Sequence, residues 1–160
     1  MSMKRSAGFT LIELVVTVAI VGLLATMATP LAEIAVQRSR ESELRQALRV
    51  IRTALDDYKH AADKGQIERA ADASGYPASL EALVQGVANA RDPAKSRIFF
   101  LRRIPADPLF EGPPDTPPAQ TWALRSYASG PEQPQSGKDV YDVYSTAPGR
   151  GLNGRPYREW

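Results

Sequence analysis

The feature that most restricts this chain is an apolar run from Phe9 to Ala32, broken by one charge, Glu13. A helix of that length reaches about 36 Å, at about 1.5 Å per residue, enough to cross a bilayer core. Gly22 and Pro30 fall inside it. Both are costly in an exposed soluble helix, and membrane helices tolerate both. Residues 1–8, Met-Ser-Met-Lys-Arg-Ser-Ala-Gly, are short, polar and basic. A secretory signal peptide would carry a shorter apolar stretch, about 7–15 residues, and then a small-x-small cleavage site. A plain membrane anchor leaves Glu13 unexplained. A carboxylate within a span costs about 2.5–3.5 kcal/mol on insertion scales. Its place near the end of the span softens that cost without removing it, so Glu13 calls for a partner.

Loop charge does not set the orientation. Lys4 and Arg5 precede the span, but Arg38, Arg40, Arg45, Arg49 and Arg52 follow it closely. Acidic neighbours such as Glu33, Glu41 and Glu43 count for little in the positive-inside rule, which alone favours the reverse topology.

Gly8-Phe9-Thr10-Leu11-Ile12-Glu13-Leu14 resembles the class III signal of type IV pilins and type II secretion pseudopilins. The match joins a short basic leader, Gly before the cut, Phe after it, and Glu as the fifth residue of the mature chain. Pro30 also sits where the pilin stem carries its proline. The resemblance implies cleavage between Gly8 and Phe9 by a prepilin peptidase on the cytoplasmic face, and N-methylation of Phe9. It places the body in the periplasm, overriding the loop-charge count. It also implies that Glu13 neutralises the N-terminal amine of a neighbouring subunit. Two buried charges are tolerable in low dielectric only when paired, so Glu13 would set assembly register.

Beyond the span, apolar residues recur at Leu44, Leu48, Ile51, Leu55, Tyr58 and Ala62. The alternation of four and three is one stripe on a helix. Arg45, Arg49, Arg52, Asp56 and Lys59 fall off it, and Gly65 is a plausible stop. One helix is predicted from about Phe9 to about Lys64. The stripe is too short for a sustained coiled coil, so it packs on the chain's own body. His60, the only histidine, has no evident partners for a catalytic or metal role.

Most of the thirteen prolines and eleven glycines lie after Gly65, so the remainder is a turn-rich body. Gly75-Tyr76-Pro77 leads into a short helix with Leu80, Leu83 and Val84 as its apolar face. Ile98-Phe99-Phe100-Leu101 reads as a buried patch, followed by Ile104-Pro105-Ala106-Asp107-Pro108. Residues 111–118 are irregular. Three strands are expected: Trp122 to Tyr127, Val140 to Tyr144, and a short one near Tyr157 to Trp160. An antiparallel sheet packed on the stem helix closes the fold. The class is α+β, type IV pilin-like. Its parts are a leader (1–8), a transmembrane part of the stem (9–32), an amphipathic part (33–64) and a periplasmic body (65–160).

The order of the body resembles the major, G-type pseudopilin of type II secretion. Tyr76-Pro77, Ile104-Pro105-Ala106-Asp107-Pro108, Ser126-Tyr127 and Trp160 answer that pattern. The lack of cysteine agrees, since many type IV pilins close a C-terminal disulfide loop. The resemblance implies a calcium site in the loop after Ser126-Tyr127, where Asp139 and Asp142, with Ser129, Glu132 and backbone carbonyls, could supply the oxygens. This loop is poorer in aspartate than the family's and contains Lys138. Asp139 and Asp142, three apart, share one ion only if the chain turns between them. An ordinary polar loop stiffened by proline stays open as the alternative. Calcium, if bound, would fix the loop, and no cofactor is required.

Without cysteine there are no disulfides, thiolate metal sites or thiol nucleophile. The formal charge of +2 gives no reason to expect nucleic-acid binding. No nucleophile–base pair, phosphate loop or His-Glu-His pattern appears, so no enzyme is expected. Gly149 to Gly154 has neither the Walker lysine nor a following helix and reads as a turn. The leading reading is a structural subunit of a periplasmic pseudopilus that supports export of folded proteins. Its partners would be itself, other pseudopilins, the prepilin peptidase and the inner-membrane assembly platform. A type IV pilin for adhesion, motility or DNA uptake, and a monomeric membrane-anchored binding module, stay open beside it.

Overall fold

The computed structural model describes residues 9–160, with residues 26–31 described by their backbone alone. Helix α1 runs from Leu11 to Asp63. The chain divides into two compact units, residues 1–39 and 40–160, so α1 contributes to both.

In the first unit the helix is apolar on nearly every side. Leu11, Ile12, Leu14, Val15, Val16, Val18, Ile20, Val21, Leu23 and Leu24 are all exposed. Among the described residues no helix is long and apolar enough to cross a membrane. The span expected over 9–32 includes residues 26–31, and the side chain of Pro30 lies outside the described residues.

The second unit is built on the stripe predicted from spacing. Leu44, Leu48, Ile51 and Leu55 are buried together with Leu80, Leu83, Trp122, Val140, Val143 and Tyr157. Tyr58 packs against this core, and Ala62 enters a smaller cluster with Ala61 and Ile67. The helix stops at a glycine, as expected. Gly65 has φ +69°, and its N–H donates to the carbonyl of Ala62. The N–H of Gln66 donates to the carbonyl of Ala61. These two bonds make the Schellman cap that a left-handed residue permits.

The Tyr-Pro segment leads into helix α2, Glu81–Gln85. Strands β1 (Val87–Ala88) and β2 (Arg97–Ile98) form a two-residue antiparallel ladder. Strands β3 (Trp122–Arg125) and β4 (Asp142–Ser145) form a separate one, with Trp122 opposite Ser145 and Arg125 opposite Asp142. A single sheet is therefore replaced by two small ones. The third expected strand is a short 3-10 turn, Tyr157–Glu159. Its neighbourhood keeps one antiparallel bridge, between Arg150 and Pro156. Pro156 has no N–H with which to continue a ladder. The patch at 98–101 is only partly covered, and Phe99 is 63% exposed. Alternation explains the difference. With Ile98 turned inward, the next residue of an extended chain points outward.

Candidate functional site

Three arrangements hold the residues of interest, beginning at the head of α1. Gly8, which precedes the expected cut, lies outside the described residues. Phe9 is exposed. The Thr10 N–H and hydroxyl both donate to Oε2 of Glu13, at 2.9 and 2.8 Å, and the Glu13 N–H donates back to the Thr10 hydroxyl at 3.3 Å. This is a capping box. Thr10 is the cap residue and Glu13 the third helical residue, each satisfying a donor that the helix start leaves free. Both Glu13 contacts use Oε2, and among the described residues Oε1 has no donor. The spacing Thr-x-x-Glu before an apolar run was the sequence signal for this cap.

The second arrangement is the loop between β3 and β4. Its ends are closed by main-chain bonds from Ser126 N–H to Gln135 O and from Tyr141 N–H to Arg125 O, both 2.9 Å. The four expected calcium donors are scattered in role. Ser129 Oγ accepts the Gln135 N–H at 3.1 Å. Asp139 Oδ1 accepts the Tyr127 N–H at 2.8 Å. Asp142 is held by two arginines: Arg52 Nε reaches Oδ1 at 2.8 Å, and Arg125 Nη2 reaches Oδ2 at 3.2 Å. Glu132 lines an open cavity of about 550 Å³ with Ser126, Ser129, Gln135 and Ser136, and it is the one carboxylate in that lining. Among the described residues no three acidic or histidine side chains gather as a metal site. Calcium needs about 6–8 oxygen ligands with carboxylates supplying charge. These residues do not fit it.

The third arrangement is one that the sequence reading missed. Glu41 counted there only as one acid near the span, yet it is 1% exposed. Its Oε1 accepts the Leu152 N–H at 2.8 Å and the Tyr157 hydroxyl at 3.1 Å, while Arg45 reaches Oε2 at 3.2 Å. Arg45 also lies over the Trp160 ring, 4.5 Å from its centre. Helix α1 thus grips the last turn of the chain through a buried, fully engaged carboxylate. No spacing rule separates Glu41 from Glu43. Their difference lies in which side of the helix the last turn covers.

Residues 3–29 match the family model described as the prokaryotic N-terminal methylation motif. The chain is 27% identical to the type II secretion system core protein G of Pseudomonas aeruginosa over 143 residues. That alignment covers 87% of this chain and 93% of the relative. No solved structure matches it. The chain thus carries a prokaryotic N-terminal methylation motif at its start and is similar over most of its length to a type II secretion system core protein.

Proposed function

We propose that the chain is a structural subunit of the pseudopilus of a type II secretion system, made as a prepilin and held at the inner membrane until it assembles. One observation carries the reading. Helix α1 buries its apolar stripe from Leu44 onward but exposes apolar side chains from Leu11 to Leu24. An apolar surface of that extent needs a cover, and bilayer lipid or packed neighbouring stems supply one. Cleavage after Gly8 leaves the new amine on Phe9, next to the residue that caps the helix. Oε1 of Glu13 then accepts the amine of a neighbouring subunit while Oε2 keeps the cap. The charge that is expensive in lipid is neutralised by entry into the filament. The periplasmic body, residues 65–160, forms the outer surface. The chain acts through assembly and carries no catalysis.

The mass of the N-terminal peptide from membrane-extracted protein tests this. The expected peptide begins at Phe9 and is heavier by one methyl group. A start at Met1 or Ser2, in cells with an active prepilin peptidase, reduces the chain to a tethered periplasmic domain.

A further inference from the structure

We infer that the chain where the β3–β4 loop enters β4, at Asp142, is held by an internal cation, the guanidinium of Arg52, in place of a bound calcium ion. Arg52 gathers three oxygens, two from adjacent residues of β4 and one from Trp160. Its Nε donates to Asp142 Oδ1 at 2.8 Å. Its Nη2 donates to the main-chain oxygens of Val143 at 3.3 Å and Trp160 at 2.6 Å. A carboxylate and main-chain oxygens converging on one positive centre is what a calcium ion achieves, and the planar guanidinium fork does it with directed N–H bonds.

The second oxygen of Asp142 is occupied as well. Arg125, opposite Asp142 in the β3–β4 register, donates to Oδ2 at 3.2 Å. Two guanidinium groups therefore share one carboxylate. A divalent ion brought to Asp142 would have to displace the guanidinium groups that already occupy both of its oxygens. Farther along the loop, Asp139 is engaged by the Tyr127 N–H, and Ser129 by the Gln135 N–H. Both bonds already fold the loop back on itself. Glu132 is left as a single carboxylate on an open cavity, too little charge for a hard cation that competes with water. The loop is also packed tightly where it returns. A Cβ added at Gly137 would come within 2.8 Å of Ser126 Cβ, so the backbone of the returning arm rests directly on the start of the loop. The ordering that a metal would supply comes from α1, from β3 and from the loop's own main chain.

The test is thermal unfolding and limited proteolysis of the full chain in detergent micelles, in millimolar calcium and in excess EGTA. The melting temperature of the unsubstituted chain is expected to be the same in both. Arg52→Gln is expected to lower it by several degrees in both media, and to open residues 128–138 to protease. A calcium-dependent rise for the unsubstituted chain overturns the inference. So does an Arg52→Gln chain whose loop stays as protected as before. If Arg52→Gln does not fold, the calcium comparison on the unsubstituted chain decides alone. Neither result depends on filament assembly, so this inference and the proposed function fail separately.

Discussion

Helix α1 carries apolar residues along both of its parts, and the two parts treat them in opposite ways. From Leu44 to Ala62 the apolar positions form a stripe, and the body covers it. From Leu11 to Leu24 they occupy almost every position, and they are exposed. A stripe can be satisfied by one packed layer, whereas a helix apolar all round needs a cover on all sides. The comparison teaches that the second part makes the fold of the body, while the first leaves an apolar surface that the body does not cover.

The comparison breaks most readily at the core. Ile51 is fully buried and Leu24 is 61% exposed. Ile51→Ala is expected to destabilise the body by about 3 kcal/mol through lost transfer energy and a cavity. Leu24→Ala should leave the body's denaturation curve in place. Equal shifts for the two would mean that the first part also stabilises the body.

The two glutamates sharpen the same contrast. Glu41→Ala removes the acceptor that the Leu152 N–H and the Tyr157 hydroxyl share, at a cost of about 2 kcal/mol. Urea unfolding of the body measures it. Glu13→Ala is expected to leave that curve unchanged and to be cleaved normally, but to assemble poorly. Filament yield in sheared fractions reads the outcome, and normal filaments from Glu13→Ala remove Glu13 from the assembly mechanism.

A smaller effect lies in the body's β1–β2 hairpin and depends on pH. Hydrogen bonds from the Ser96 hydroxyl and from the Ala94 and Ser96 N–H groups hold Asp92 below the ordinary carboxylate range. A lowered folded pKa contributes stability that is complete above the unfolded value and lost as pH falls through the folded one. Acidification below the ordinary carboxylate range is therefore expected to lower the protection factors of the Ala94 and Ser96 amides. Exchange at those two amides that follows only its intrinsic pH dependence would show that Asp92 does not hold the turn.

Legibility in the sequence tracked the range of the interaction. The stem stripe, the stop at Gly65 and strands β3 and β4 were visible, because each is dictated by neighbours within a few positions. The capping box of Thr10 and Glu13 was equally local and was hidden behind the question of charge in the membrane. Phe99, expected in a buried patch, is exposed because an extended chain turns alternate residues outward. The strand expected near Tyr157 is a 3-10 turn after Pro156, where the missing N–H ends pairing.

The calcium donors fared differently, because their fate depends on residues far away in the chain. Asp142 lies 90 positions from Arg52, and Glu41 lies 111 positions from Leu152. Nothing in the local pattern says which carboxylate such a distant arginine or amide will reach.

The sequence by itself determined the apolar head with its single acid, the helix and its buried stripe, and the turn-rich character of the body. These depend on periodicity and backbone preference, which act over a few residues. Only the tertiary structure decided that Glu41 is buried, that Phe99 is not, and that Asp142 lies within reach of two arginines. Those outcomes depend on which distant groups the folded chain brings within hydrogen-bonding distance, and that is settled only when the body closes on α1.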